Sequence, residues 1–229
     1  MKIRMRRNIG SICFGVFNLF KNTKSVTLVE LMVSILAVSI MILSFYSLET
    51  YSHKQVMAAD RRSKVQNSLS YCLEHMTKYV QQANGNYTLG YPAISLYPTG
   101  SSSATATGFQ VRVDMSIPQT PLNFADDVMV YYTLSGNILT SGCTGTNCPA
   151  SFTTEELSKK LVAGFEGGAI LPASPTEGFY VDIDYLGTSV DIGLVGRFYP
   201  EQNSDSTSRL TNPQVAMRAK LICNNSSTN

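Results

Sequence analysis

The sequence has few of the residues from which catalytic and metal sites are usually built. Its 229 residues include two histidines, His53 and His75, and neither stands at a metal-ligand spacing from a cysteine. It contains no Gly-rich phosphate loop, no nucleophile elbow and no paired-cysteine zinc pattern. We interpret both histidines as helix-surface residues. We therefore expect no enzyme activity and no cofactor or bound metal.

Glycine and proline, the strongest helix breakers, are absent from Val26 to Asn84. Their absence predicts one long helix over residues 26–84, ended by Gly85. Between Val26 and Leu48 the only charged residue is Glu30, so this first part of the helix is long and apolar enough to cross a bilayer. The second part is amphipathic, because apolar residues recur at spacings of three and four. They are Val65, Leu69, Cys72, Met76, Tyr79 and Ala83.

The residues before Val26 include six basic and no acidic side chains. Under the positive-inside rule this segment is cytoplasmic, and everything after Leu48 lies outside the cytoplasm. A cleaved secretory signal is the main alternative, with residues 9–20 as its apolar core. However, Lys21-Asn22-Thr23-Lys24 follows that core in place of a small-residue cleavage site. No aromatic residues alternate with the basic ones, so nucleic acid is not an expected partner.

The stretch Ser25-Val26-Thr27-Leu28-Val29-Glu30-Leu31-Met32-Val33 resembles the cleavage and methylation signature of type IV pilins and pseudopilins. The resemblance implies that a prepilin peptidase cuts between Ser25 and Val26 and that the new amine of Val26 is methylated. Glu30 is then the fifth residue of the mature chain, where the family has its glutamate. Two residues depart from the family pattern: Ser25 stands in place of Gly, and Val26 stands in place of Phe.

The resemblance also implies what these residues do. In the family, the glutamate of one subunit attracts the N-terminal amine of the next, which makes Glu30 an assembly residue. Thr27 is placed to hydrogen-bond near the start of the helix. The alternative interpretation of Glu30 is an acid at the membrane edge that extends toward the lipid headgroups.

The expected function is therefore a minor pilin or pseudopilin subunit. Its partners are a prepilin peptidase, other subunits that it meets through its N-terminal helix, and the bacterial inner membrane. Type IV pili, type II secretion pseudopili and DNA-uptake filaments share this N-terminal chemistry, so the prediction covers all three. The alternative function is an unprocessed, permanently anchored periplasmic module for binding or adhesion.

After the helix, residues 85–108 are rich in Gly, Ser, Thr and Pro and are interpreted as a flexible connection. Residues 109–229 then form a β-rich periplasmic domain. Strands are predicted at residues 109–113, 128–134, 137–140, 179–185, 190–198 and 215–223, with a hairpin turn at Ser135-Gly136. Thr153-Thr154-Glu155-Glu156 resembles a capping box, which predicts a short helix to about Val162. The expected fold is α+β and pilin-like: a leader over residues 1–25, a helical spine, and an antiparallel sheet packed on its amphipathic half.

Four cysteines follow the leader, an even number that suggests disulfides in an exported domain. Cys143 and Cys148 flank a tight polar turn and form the favoured pair. By elimination, Cys72 would then bond to Cys223. Free thiols are the main alternative, and a metal site is a remote one.

Three aspartates of the predicted strands, Asp182, Asp184 and Asp191, are the only other candidates for a site, and calcium would be the ligand. Asp182 and Asp184 occupy alternating strand positions, where outward-facing, solvated side chains are the ordinary arrangement. We therefore expect them to be surface residues.

Overall fold

The computed structural model describes residues 27–120, 122–150, 152–167, 177–202 and 210–227. The chain divides into two units, one ending at Ser52 and one comprising His53–Asn229. Helix α1 (Leu28–Gln81) contributes to both. The described residues of the second unit add eleven strands to the helix, so the α+β class expected from the sequence is confirmed.

In the first unit, the described residues are the apolar part of α1. Every large apolar side chain from Leu28 to Leu48 is more than half exposed. By length and composition this helix is able to cross a membrane. The hydroxyls of Ser34, Ser39 and Ser44 each donate to the carbonyl oxygen four residues earlier, at 2.8–2.9 Å. The helix thus satisfies these polar groups internally, as a lipid environment requires.

In the second unit, α1 buries one stripe completely. Its members are Val65, Leu69, Cys72, Met76 and Val80, each with 0% exposure. The stripe predicted from the sequence is confirmed, with Val80 as a further fully buried member beside the partly buried Tyr79. The predicted end of the helix is three residues late, because α1 stops at Gln81 and Ala83 bridges to Val113.

Three sheets complete the second unit. The five-stranded antiparallel sheet has the order β2-β3-β4-β5-β6. Its strands are β2 (Ile94–Tyr97), β3 (Gly108–Val113), β4 (Val128–Ser135), β5 (Ile138–Thr144) and β6 (Glu155–Ser158). The four-stranded sheet consists of β7 (Phe165–Gly167), β8 (Phe179–Ile183), β9 (Ser189–Arg197) and β10 (Gln214–Ile222). Its order is β10-β9-β8-β7, and only β7 and β8 are parallel. The third sheet pairs β1 (Asn84–Asn86) with β11 (Asn225–Ser227) in parallel.

The core lies where α1 meets the two larger sheets. Phe109 of β3 stacks on Tyr132 of β4, with ring centroids 5.0 Å apart, and contacts Phe179 of β8 at 6.1 Å. The ring of Tyr132 also meets His75 of α1 edge-on at 5.7 Å. Phe109, Tyr132 and Phe179 are fully buried and join the sheets to each other and to the helix.

The period-two patterns located their strands to within a few residues. The predicted hairpin forms between β4 and β5, and Gly136 takes the positive φ of 59° that this tight turn needs. The short helix predicted from Thr153 to Val162 is wrong, because this segment contains β6, which pairs with β5. Residues 85–108, which the sequence analysis interprets as a connection, contain β2 and most of β1.

The sequence predicts that Gly85 ends the helix, but the structure places it elsewhere. It lies in β1, where a Cβ atom would stand 2.5 Å from the backbone nitrogen of Ala93. This position requires glycine because two backbone segments approach closely.

Candidate functional site

The start of α1 contains Thr27 and Glu30, the two residues for which the sequence predicts a role in assembly. Thr27 precedes the helix, and Glu30 is three residues further on. The backbone N–H and the hydroxyl of Thr27 both donate to Oε2 of Glu30, at 3.2 Å each. In return the backbone N–H of Glu30 donates to the Thr27 hydroxyl oxygen at 3.3 Å. This reciprocal arrangement is a capping box, which satisfies two of the N–H groups that a helix start leaves unpaired.

Both bonds that Glu30 accepts go to Oε2. Within the residues that the structure describes, its Oε1 atom has no hydrogen-bond partner. The neighbouring side chains Leu28, Val29 and Leu31 are apolar and more than half exposed. The carboxylate is thus fixed in position by its own helix while one oxygen remains open to a donor from elsewhere. Ser25 and Val26, the predicted processing site, lie outside the described residues.

Of the two cysteine pairs, Cys143 and Cys148 form a disulfide, as predicted. Cys72 and Cys223 are instead free, buried thiols, so the pairing inferred by elimination is corrected. The positions of the two residues explain the difference. β11, just after Cys223, pairs with β1, just after the end of α1. Cys72 is nine residues before that end, about 14 Å along the helix axis at 1.5 Å per residue. A disulfide needs Cα atoms within about 7 Å.

Burial also makes these two thiols unreactive. It raises the pKa of Cys72 to about 12 and that of Cys223 to about 11. Both side chains therefore remain protonated at neutral pH, and the nucleophilic thiolate does not accumulate. They act in the core as small apolar side chains.

His75 is more than the helix-surface residue that the sequence suggested. Its ring is half-buried between Tyr71, Tyr79 and Tyr132, and its Nδ1 atom lies 3.1 Å from the Tyr132 hydroxyl. Burial lowers the pKa of His75, with a smaller opposing effect from Glu155. The imidazole is therefore a neutral hydrogen-bonding group of the core. Its signal in the sequence was its position next to the buried Met76 on the helical stripe.

Sequence reasoning missed Asp127, which directly precedes β4. This residue is 8% exposed, and neither carboxylate oxygen has a hydrogen-bond partner in the described part of the chain. Burial raises its pKa to about 6, opposed by the nearby Arg112 and reinforced by Asp114 and Asp126. Arg112 could have indicated Asp127 from the sequence, because a basic residue inside an alternating strand needs an acidic neighbour. Arg112 pairs with Met129, which is two residues after Asp127.

Two of the three aspartates considered for calcium, Asp184 and Asp191, have other partners. Asp191 accepts two bonds from the guanidinium of Arg218, at 2.8 and 2.6 Å, across β9 and β10. Asp184 accepts a bond from the hydroxyl of Thr188 at 3.1 Å. Among the described residues there is no group of three or more His, Cys, Asp or Glu side chains placed to hold a metal ion.

Comparisons of the chain with protein-family models, with curated proteins and with solved structures found no match. At the start of α1, a single carboxylate, that of Glu30, stands in an otherwise uncharged apolar segment.

Proposed function

We propose that this chain is a minor pilin or pseudopilin subunit. It is processed by a prepilin peptidase and assembled through its N-terminal helix into a type IV pilus or a type II secretion pseudopilus. The observation that carries the proposal is the state of Glu30, a carboxylate near the start of an exposed apolar helix. Thr27 holds it through Oε2, and Oε1 has no hydrogen-bond partner among the described residues.

The chemistry of assembly follows from the cost of isolated charges in an apolar environment. A cut between Ser25 and Val26 creates a cationic amine at the start of the same apolar segment. An unpaired amine and an unpaired carboxylate are each costly there, and pairing them lowers the cost of both. Since the pair forms only when neighbouring subunits are in register, Glu30 selects the correct axial position of each incoming subunit.

The proposed location follows from the charge distribution. The six basic residues before Val26 remain in the cytoplasm, the apolar part of α1 spans the inner membrane, and the β-rich unit lies in the periplasm. The Cys143–Cys148 disulfide suits that oxidising compartment. No reaction is assigned to the chain; its role is structural.

The first test of the proposal is processing. The protein is expressed with and without a prepilin peptidase, extracted from membranes, and analysed by intact mass and N-terminal sequencing. We expect a mature chain that begins at Val26 and carries one added methyl group. A chain that still begins at Met1 in the presence of an active peptidase would overturn the proposal. The anchored binding module, with Ser25 blocking the cut, would then be the better description.

The second test is assembly. We expect Glu30→Gln and Glu30→Ala each to reduce the subunit recovered in sheared filaments at least about tenfold, which corresponds to about 1.4 kcal/mol. Glu49→Gln is the matched control, because Glu49 is an exposed acid of the same helix outside the apolar run. Membrane levels of all variants are measured alongside. Equal recovery of Glu30→Gln and Glu49→Gln would contradict the role given to Glu30.

A further inference from the structure

A groove of about 720 Å³ lies in the second unit, where α1 ends. One wall is formed by the end of α1 and the start of β1, and the other by the loop between β3 and β4. Its volume is in the range of small-molecule binding sites. Nothing in the proposed assembly role uses this groove.

The wall formed by the β3–β4 loop is held in place by its own hydrogen bonds. The Asp114 carboxylate accepts from the backbone N–H of Ser116 at 3.0 Å and from that of Thr120 at 2.7 Å. The Thr120 hydroxyl donates to Asp126 at 2.7 Å. Asn147, inside the disulfide-closed turn, donates to the carbonyl oxygen of Asp126 at 2.8 Å. A wall fixed in this way loses little conformational entropy when a ligand binds.

Besides the buried Asn84, four carboxamide side chains line the groove: Gln81, Gln82, Gln119 and Asn224. All four are exposed, and in the part of the chain that the structure describes none has a side-chain hydrogen bond. Each carboxamide offers two N–H donors and one carbonyl acceptor. Together they present a dense and uncharged set of donors and acceptors to whatever enters the groove.

The groove also offers no free charge. Asp114 is its one charged lining residue within the described segments, and both of its carboxylate oxygens accept hydrogen bonds from the loop. Phosphate groups, nucleic acids and strongly charged peptides therefore find no counter-ion here. Leu122, which is 90% exposed, and Phe124 add apolar surface beside the amides.

We propose that this groove binds a neutral carbohydrate. A sugar ring presents hydroxyls, which donate and accept hydrogen bonds, and a C–H face, which packs on apolar side chains; the lining provides a partner for each. A peptide would bind an edge by adding a strand. Here the wall is already paired, since β1 bonds to β11 and Ala83 bridges to Val113.

The test uses the full chain in lipid nanodiscs, because maltoside and glucoside detergents would themselves present sugars. Maltotriose, cellotriose and β-linked galactotriose are titrated by calorimetry and by saturation-transfer NMR. Trigalacturonate and a blocked tetra-alanine peptide serve as the acidic and peptide comparisons. We expect at least one neutral trisaccharide to bind with a Kd of about 0.1–1 mM. Trigalacturonate should bind more weakly.

Variants locate the binding site. Gln81→Ala combined with Gln119→Ala should weaken binding at least about tenfold, since two hydrogen bonds to the sugar are lost. Asn67→Ala is the matched control, an exposed amide of α1 outside the groove, and should leave the Kd unchanged. The proposal is overturned if no neutral trisaccharide binds up to about 20 mM. Equal binding by the double variant, or binding of the blocked peptide alone, would overturn it as well.

This test is independent of the filament proposal. It measures binding by the unassembled chain, so a processing defect would leave its result unchanged. Loss of sugar binding would in turn leave the processing and assembly experiments intact.

Discussion

At the scale of single residues, Thr27 holds the carboxylate of Glu30 in position within an otherwise uncharged apolar segment. Their reciprocal bonds anchor the carboxylate to its own helix start. The Thr-x-x-Glu spacing of a capping box is visible in the sequence. From the sequence, however, we predict only that Thr27 forms a hydrogen bond near the start of the helix. The cap therefore connects local helix chemistry to the proposed assembly step.

Replacing Thr27 by Val tests this cap without changing the shape of the side chain much. Val cannot accept the bond from the Glu30 N–H, so the first turn should lose about 1 kcal/mol of stability. Amide exchange of residues 28–31, measured by NMR in micelles, should then accelerate about fivefold. Thr27→Ser keeps the hydroxyl and should exchange at the original rate. Unchanged exchange in Thr27→Val would show that the cap contributes nothing.

Asp127 gives a pH-dependent prediction at the same scale. Its folded-state pKa, about 6, lies above the ordinary value of 3.8 because of burial. The folded chain therefore holds this proton more tightly than the unfolded chain. The associated stability is fully present below pH 4 and is lost as pH rises through about 6.

We therefore expect Asp127→Asn to be more stable than the parent at pH 8, by about 1 kcal/mol after solvent screening is counted, and to differ less at pH 4. Urea unfolding at both pH values measures this. Asp126→Asn, the same substitution at the neighbouring residue, is the control; its carboxylate accepts a hydrogen bond from the Thr120 hydroxyl. A larger gain at pH 4 than at pH 8 would reverse the sign of the argument.

At the scale of elements, the Cys143–Cys148 turn connects β5 to the loop that walls the groove. A short disulfide loop of this kind contributes about 2 kcal/mol by restricting the unfolded chain. The double variant Cys143→Ser, Cys148→Ser should have a lower thermal stability than the parent. Adding reductant should no longer change that thermal stability.

The second cysteine pair supplies the control. Cys72→Ala with Cys223→Ala should keep the sensitivity to reductant, because these residues are free thiols. If that variant instead became insensitive, a Cys72–Cys223 bridge would be the bond that reductant breaks.

β6 shows where local patterns stop being sufficient. Thr153-Thr154-Glu155-Glu156 carries the local signal of a helix start, yet Glu155 and Glu156 pair with Ser141 and Thr140 of β5. The hydroxyl of Ser158 meets that of Ser68 on α1 at 2.8 Å. Tertiary pairing outweighed a preference worth only about 1 kcal/mol. The hairpin of β4 and β5 was predictable because two local signals indicate the same structure: the alternation of apolar and polar residues in its strands and the turn residues Ser135-Gly136.

At the scale of the whole molecule, the same helix serves two environments, and the sequence separated them correctly. Apolar residues all around the helix marked the first unit, and a single apolar stripe marked the second. The amide groove could not be predicted, because Gln81, Gln119 and Asn224 are far apart in the chain and carry no periodic signal. The prediction that Cys72 bonds to Cys223 was wrong for a related reason. Pairing the two remaining cysteines by elimination takes no account of where Cys72 lies along the helix.

The division predicts different consequences for two equivalent substitutions. Leu69→Ala removes a fully buried side chain and should destabilise the second unit by about 2–5 kcal/mol. Leu36→Ala, at a position 63% exposed in the first unit, should change urea unfolding of the second unit by less than about 0.5 kcal/mol. Near-ultraviolet circular dichroism in nanodiscs follows the transition. Equal losses would mean that the two units unfold as one.

The pairing of β1 with β11 sets the order of events when the chain is made. Asn84 and Asn225 are separated by more than half of the chain, yet they are direct neighbours in this sheet. Synthesis is vectorial, so α1 and β1 are made long before β11 leaves the ribosome. Contacts of such high sequence separation form slowly. Each new chain therefore spends an interval in which α1 and β1 are already made but β1 still lacks β11, the strand with which it pairs.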